Sequence, residues 1–353
     1  MRALVTGASG FVGSALCRAL LREGHSVTAL TREPQRVRAR VAGDLAVAEG
    51  SVADPGQVAR AALDHGACDV IFHAAGIADV DAPSVVLRWV HVAGSENVVS
   101  AARFAKVRRI VYLSCADVSL TGEDRMHWDE KRVLAAPPTG PHARSKLMAE
   151  ELMLAHSDET LEVTALRPAL LWGPDDIDGI SRLVRAVRSN GFTLYGGGRN
   201  IVATTHIDNL TRAALLAAVA PDAAGRPYYV TDGEFLEARE FYTRLFSALG
   251  LAPLRLVGSL PYALLRAAAH DWLRHSEGAA RAEVLRAGRS ALFDVSRAVF
   301  DLGYEAKLDL DAKIAELGEW VRAQGGLDTL LLKARPRPAV SDVAEQVRAA
   351  GGD

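Results

Sequence analysis

Three glycines, Gly7, Gly10 and Gly13, are spaced to bind a phosphate. They follow the apolar run Ala3-Leu4-Val5-Thr6 and open a helical pattern (Val12, Leu16, Ala19, Leu20) that stops at Gly24. A strand that empties through spaced glycines onto a helix N-terminus offers bare N–H groups and the positive end of the helix dipole to an anion. Gly7 turns without a Cβ clash, Gly10 lets the backbone approach a pyrophosphate, and Gly13 lets the helix pack close to the strand. Gly7, Ser9, Gly10, Phe11, Val12 and Gly13 are therefore expected to hold a dinucleotide. Ser26-Val27-Thr28-Ala29-Leu30 supplies the second strand of a βαβ unit, the context that gives such a motif its meaning.

The end of that second strand discriminates between the two nicotinamide dinucleotides. An acidic residue there grips the ribose 2′-OH, whereas an arginine complements a 2′-phosphate. The chain places Thr31 at this point, followed by Arg32. NADP(H) is therefore expected, with NAD(H) the alternative if Glu33 reaches the ribose instead. Arg36 follows, and Arg38 and Arg40 read as a solvated face.

These residues need a scaffold, and the pattern supplies one. Short apolar runs (Ala3–Thr6, Ser26–Leu30, Asp69–His73, Ile110–Ser114, Val163–Arg167) alternate with helical stretches (Phe11–Glu23, Pro55–Asp64, Val85–Phe104, Ser145–Ala155). That alternation predicts a doubly wound parallel α/β sheet with helices on both faces, of the Rossmann type, and ligands outside the C-terminal strand ends. The expected division is residues 1–172 as the dinucleotide-binding domain, completed by later sheet segments, and 173–330 as a smaller C-terminal substrate-binding lobe interleaved with it. Residues 331–353 form a tail. Leu256–Leu285 reads as amphipathic helices of the lobe, with a membrane-surface role as the rival.

Composition sets the outer limits. The 353 residues are 49% hydrophobic, enough for a sizeable core, and the net charge of −2 gives no basic field for nucleic acid. No run reaches roughly 18 apolar residues, so no membrane span is expected. The chain begins directly on a core strand, which points away from a signal peptide. Cys17, Cys68 and Cys115 are scattered, which suits a cytoplasmic protein without disulfide or metal site.

Beyond these features the chain resembles an extended short-chain dehydrogenase/reductase of the NAD-dependent epimerase/dehydratase group, in the branch of bacterial 3β-hydroxysteroid dehydrogenase-like and 2-alkyl-3-oxoalkanoate reductase-like proteins. The resemblance spans roughly Met1 to Gln324. It rests on Thr6-Gly7 through Gly13, Phe72-His73-Ala74-Ala75, Gly94-Ser95-Glu96-Asn97, Ser145-Lys146, Leu166-Arg167-Pro168, Gly173-Pro174, Thr205-His206-Ile207-Asp208-Asn209, Tyr228 to Gly233 and Leu302-Gly303-Tyr304. It implies that His73, Ala74 and Ala75 line the cofactor, that Ser51 and Val52 lie at the adenine, and that Pro168 and Leu170 border the nicotinamide. His73 reads equally well as a satisfied polar residue at a strand end, and His206 as a structural residue of the lobe junction. A homodimer is also within the family's habit.

The catalytic pattern departs from the family. Its chemistry rests on a Ser/Thr, a Tyr and a Lys, the last two spaced Tyr-x-x-x-Lys. Here Lys146 is present, His142 stands at the tyrosine position, and Ser114-Cys115 puts a cysteine in the serine slot. Reduction of a carbonyl leaves charge on oxygen that a positioned donor must meet. Lys146, one helical turn away, should lower the pKa of His142. His142 then acts as a proton donor, as a polarising N–H, or not at all. A Cys115–His142 thiolate–imidazolium dyad is a sharper idea, with a small buried hydrophobe as its rival for Cys115. Asp129-Glu130 reads as a helix cap or a substrate-site acid. The expected activity is reduction of a carbonyl, or oxidation of an alcohol, on a small hydrophobic molecule. A non-redox isomerase or lyase, and a silent cofactor-binding protein, stay open.

Overall fold

Arg2–Thr6, here β1, runs up the middle of a parallel sheet, and Ala3 to Thr6 are buried along it. The computed structural model describes residues 1–64, 66–79, 82–189, 192–252, 254 and 258–334. Among these residues seven strands share the sheet. They are β1, β2 (Ser26–Thr31), β3 (Ala46–Glu49), β4 (Val70–His73), β5 (Arg109–Leu113) and the strands Glu162–Pro168 and Arg226–Val230. The order across the sheet is β3, β2, β1, β4, β5, Glu162–Pro168, Arg226–Val230, with every neighbouring pair parallel. The winding reverses between β1 and β4, so the switch-point crevice opens where Thr6 pairs with His73.

Helices cover both faces. On one lie α1 (Phe11–Arg22) and the later helix Ile207–Ala217, packing Leu16, Leu20, Leu210 and Ala214 against Val5 and Val111. On the other lie α3 (Pro55–Leu63), α5 (Gly94–Phe104) and α6 (Pro141–Ala155), packing Val58, Val98 and Met153 against Leu4, Ile71 and Ile110. The short α2 (Pro34–Arg40) and α4 (Ser84–Arg88) complete the first half. Local chemistry sets the starts. Asp54 Oδ1 accepts from Gly56 N at 2.8 Å and Gln57 N at 3.2 Å, and Pro55 opens α3 without needing a donor. Pro141 opens α6 in the same way, after Gly140 at φ +90°.

Two expectations change. The single helix foreseen at Val85–Phe104 is α4 and α5 joined by a π-helical turn, Trp89–Ala93. A π turn widens the helix by one residue and is frequent at functional sites. The helix foreseen at Ser145–Ala155 starts at Pro141, which brings His142 onto it.

The second half contributes α7 (Ile177–Ser189), α8 (Ile207–Ala217), α9 (Ala238–Leu249), α10 (Leu260–Arg274), α11 (Ala279–Gly288), α12 (Ser296–Leu302), α13 (Leu310–Ala323) and α14 (Gly326–Lys333). Trp172, Val184, Phe241, Leu245, Ile314 and Leu317 form a separate apolar core beside the sheet. The buried Asp232 ties this region to the sheet. Its carboxylate accepts from Trp172 Nε1, Thr204 Oγ1, His206 N and Asn209 Nδ2, at 2.7–3.0 Å. Most of the tail, 335–353, lies outside the described residues. No described helix is long and apolar enough to cross a membrane.

Candidate active site

The site is built at the C-terminal ends of β1, β4 and β5. After β1 the chain turns at Gly7, φ +68°, and Gly10 N donates to Gly7 O at 2.9 Å. A Cβ on Gly7 would lie 2.7 Å from the Ala75 backbone, and one on Gly13 would lie 2.3 Å from Gly7 O. Neither fits without moving main chain. The turn is thus pinched between helix α1 and the Ala74-Ala75 segment, and its amides crown the helix N-terminus. This cradle fits the diphosphate of a nicotinamide dinucleotide.

His73 does not face into that crevice. Ala75 N donates to Thr6 Oγ1 (3.2 Å), Thr6 Oγ1 bonds His73 Nδ1 (2.8 Å), His73 Nε2 bonds Ser95 Oγ (3.2 Å), and Ser95 Oγ donates to His91 O (2.5 Å). Ser95 Oγ spends its proton on His91 O and so accepts from His73 Nε2–H, and with the ring neutral Nδ1 accepts from Thr6 Oγ1. Burial, helped by Lys146, drives its pKa down to about 3. The side chain expected to line the cofactor is fully used in joining β1, β4 and α5. Only the backbone here and at Ala74-Ala75 is left to border the crevice.

At the end of β2, Thr31 is buried and its Oγ1 accepts from Glu33 N at 3.0 Å. Arg32 is exposed. Glu33 turns back to the glycine turn, where its Oε2 accepts from Ser9 Oγ at 3.2 Å, and Arg36 lies 3.9 Å from its other oxygen. Arg40 is not part of a solvated face. Its guanidinium donates to Ser9 O (3.1 Å) and Asp175 O (3.2 Å), while Arg18 pairs with Asp175 at 2.8 Å. The two arginines strap the Gly173–Asp176 loop to the glycine turn. Further along, Ser51 Oγ accepts from Ala53 N, and Asn97 Nδ2 holds Val52 O at 3.0 Å. Asn97 thus fixes the loop that the resemblance places at the adenine.

The reacting end lies between β5 and α6. Lys146 Nζ donates to Leu113 O at 2.7 Å and sits 5.0 Å above the Tyr112 ring. Its pKa is lowered by burial. One turn earlier, His142 Nδ1 is buried with no hydrogen-bond partner in the protein, and so is Ser114 Oγ at the end of β5. Buried polar atoms without partners are uncommon and ask for a ligand. Burial, then the Lys146 and Arg286 cations, push the His142 pKa down to about 4, so its ring is neutral near pH 7.

A second histidine, not singled out by any motif, also lies here. His91, on the π turn, accepts from Ile77 N through Nε2 at 3.0 Å and therefore donates through Nδ1 to Ser145 Oγ at 2.9 Å. Ser145 in turn donates to His142 O at 2.9 Å.

The dyad reading of Cys115 loses ground here, and Glu130 departs from both of its readings. Burial and Asp117 push the Cys115 thiol up to about 12 while His142 falls, so no thiolate–imidazolium pair forms. Glu130 neither caps a helix nor stands as a substrate acid. Its Oε1 accepts from Tyr229 N at 2.7 Å and its Oε2 lies 3.5 Å from Arg297. Asp129 closes its own turn on Lys131 N. Pro168 ends its strand, and Leu170, 38% exposed, begins Leu170–Trp172, which pairs with Thr204–His206. His206 is structural at the junction as expected. It is fully buried, its Nδ1 accepts from Asp208 N, and its ring meets Trp172 edge to face.

A sheet wound this way, with a glycine cradle at the switch point and the α6 residue Lys146 reaching the end of β5, defines a dinucleotide-binding α/β fold. Residues 3–230 match the model of the NAD dependent epimerase/dehydratase family, and the chain belongs to that family. It is 35% identical, over 94% of its length and 96% of the relative's, to the 4-hydroxy-2-methyl-3-oxo-4-farnesyl-3,4-dihydroquinoline-1-oxide ketoreductase of Stigmatella aurantiaca. It is 36% identical, over 71% of its length and 76% of the relative's, to the 2-alkyl-3-oxoalkanoate reductase of Stenotrophomonas maltophilia. Among solved structures it is similar to MoeE5 in complex with UDP-glucose and NAD, with TM-score 0.71 and 27% identity over 92% of this chain and all of that one. The chain is a nicotinamide-dependent oxidoreductase.

Proposed function

We propose that the protein reduces the carbonyl of a small hydrophobic molecule, or oxidises the corresponding alcohol, using NADP(H) in the cytoplasm. One observation carries the reading. Two buried polar atoms have no partner in the protein: Ser114 Oγ, next to the Leu113 carbonyl that Lys146 bonds, and His142 Nδ1, one helical turn before Lys146, at the end of the sheet where a nicotinamide would be delivered. Both relatives named above are reductases of ketone-bearing molecules, one of them farnesylated and the other alkylated.

The reduced nicotinamide, when bound, supplies the hydride. The chain's residues do the rest. The Gly7–Gly13 turn and the α1 N-terminus hold the diphosphate. Arg32 and Arg36 meet the adenosine 2′-phosphate, and Glu33 tempers that preference. Lys146 holds the nicotinamide ribose and keeps a positive field over the reacting oxygen. Ser114 Oγ donates a hydrogen bond to that oxygen as charge develops on it, and neutral His142 does so in the tautomer that carries its proton on Nδ1. An imidazole with its pKa near 4 holds the oxygen rather than serving as a reservoir of protons, so the final proton comes from water. Cys115 stays a protonated, uncharged wall of the site.

The test follows absorbance of the reduced nicotinamide with a panel of hydrophobic ketones. Consumption of NADPH matched by alcohol formation supports the reading. Product formed with no net absorbance change overturns it in favour of an isomerase or lyase.

A further inference from the structure

Helix α10 has two unlike faces. One is packed: Leu264 joins Leu120, Ala282 and Leu285, and the buried Asp271 accepts from Ser276 Oγ, Ala280 N and Arg281 N. The other carries Tyr262, Leu265, Trp272 and Leu273, which are 62, 69, 78 and 68% exposed. Their spacing puts them on one stripe of the helix, and no described residue covers it. Arg266, His270, Arg274 and His275 are exposed on or just beyond the same helix, and Arg266 lies 5.9 Å from the centre of the Tyr262 ring. The only acid in α10 is Asp271, which is buried.

We propose that this face of α10 binds the surface of an anionic lipid bilayer, with Trp272, Leu273, Leu265 and Tyr262 entering the interface and the arginines meeting lipid phosphates. Tryptophan and tyrosine are the side chains that settle at a membrane interface, and the exposed arginines and histidines on or just beyond α10, whose one acid is buried, complement anionic headgroups, while the exposed Glu277 beyond the helix accepts from Ser84 Oγ. The chain as a whole is slightly acidic, so the attraction belongs to this patch and not to the net charge. A second copy is a poorer occupant. Pairing α10 with itself brings Arg266 and Arg274 against the same cations, with no exposed acid on α10 to answer them.

The placement has a use. The partner of α10 is α11, whose Ala282 Cβ would lie 2.9 Å from a Cβ on Gly140, two residues before His142, and whose Arg286 bonds Asp117, two residues after Cys115. The lipid-facing helix is thus one layer away from the site, and a lipophilic ketone dissolved in the bilayer is held close to it. That use rests on the reading of a hydrophobic substrate. The lipid contact does not.

The experiment floats the full-length protein with vesicles of phosphatidylcholine, with and without phosphatidylglycerol. The expected result is binding to the anionic vesicles at least about tenfold stronger than to pure phosphatidylcholine, weakening as salt rises. Trp272→Ser with Leu273→Ser should lower that binding at least about tenfold while the melting temperature and the turnover of a short, water-soluble ketone hold. Arg266→Gln with Arg274→Gln should erase the preference for anionic vesicles. The proposal is overturned if the wild-type protein floats with neither vesicle, or if the Trp272/Leu273 variant binds as well as wild type. It is overturned equally if wild type fails to float and the variant only turns a dimer into a monomer by light scattering. Vesicle binding without turnover of any ketone sinks the reductase reading and leaves the lipid contact standing.

Discussion

The imidazoles of His91 and His142 meet edge to face with their centroids 5.4 Å apart. His91 cannot pass a proton to its neighbour, because Ile77 N occupies its Nε2 and its Nδ1–H is given to Ser145. It serves instead as a neutral wall that holds the first turn of α6. Both rings titrate well below the usual histidine range, chiefly through burial. Under the reductase proposal, His142 at the tyrosine position would therefore work as a neutral hydrogen-bonding group and not as an acid.

His142→Gln should consequently keep kcat within about tenfold, because the amide still offers an N–H, whereas His142→Phe should lose about a hundredfold. The wild-type pH–rate profile should show no loss of activity attributable to His142 from pH 8 down to about 5, as the neutral form persists until its pKa near 4. Steady-state kinetics across that range check both. A rate that falls tenfold per unit above pH 6.5, absent in the Gln variant, would mean that imidazolium is the working form.

The thiol of Cys115 gives a second test. With its pKa pushed up to about 12 it stays protonated in the working range. Cys115→Ser should leave kcat within about threefold, and iodoacetamide at pH 7.5 should modify the half-buried Cys115 no faster than an unactivated thiol of the same exposure. Mass spectrometry of the alkylated peptide reads the second outcome. Rapid, substrate-protected alkylation would restore the dyad.

How much of this was legible in the sequence follows from what each feature depends on. β1, α1 and β2 were plain because glycines bound a compact apolar run and a 3.6-residue period. β3 was missed because Ala46–Glu49 lies at the sheet edge, half-buried, without a clean alternation. The π turn changes neither composition nor period enough to register, and it hid His91. The Thr6–His73–Ser95 chain and the four donors on Asp232 link residues up to 69 positions apart, so only the folded chain brings them together. Arg40 and Glu130 were misread because a charged side chain in sequence carries no mark of burial. The first is drawn in by two carbonyls and the second by one amide and Arg297.

On the NADP(H) reading proposed above, Glu33 and Arg32 pull the choice of dinucleotide in opposite directions. Its carboxylate, hydrogen-bonded to Ser9, places negative charge beside the glycine turn, where it opposes a 2′-phosphate and favours a free 2′-OH. Glu33→Gln should raise the ratio of kcat/KM for NADPH over NADH about tenfold, and Arg32→Ala with Arg36→Ala should lower it by at least as much. A ratio unmoved by either change would place the ribose away from the end of β2.

The buried histidines also set an acid limit on stability. His73 has a folded pKa of about 3 against an ordinary value of 6.5, so its neutral form is the one that folding requires. Below pH 6.5 the unfolded chain takes up a proton that the folded chain refuses, and stability falls with pH until the folded pKa is reached. At pH 5 that linkage costs on the order of 2 kcal/mol for His73 alone, and His91 and His142 act in the same direction. Urea unfolding followed by circular dichroism should show the midpoint steady from pH 8 to 7 and dropping between pH 6.5 and 5. His73→Asn, which is weaker at pH 7 through its broken link to Thr6 and Ser95, should show a shallower drop. An acid slope identical in the two proteins would mean that His73 is charged in the fold, and the neutral chain from Ala75 to His91 would have to be redrawn.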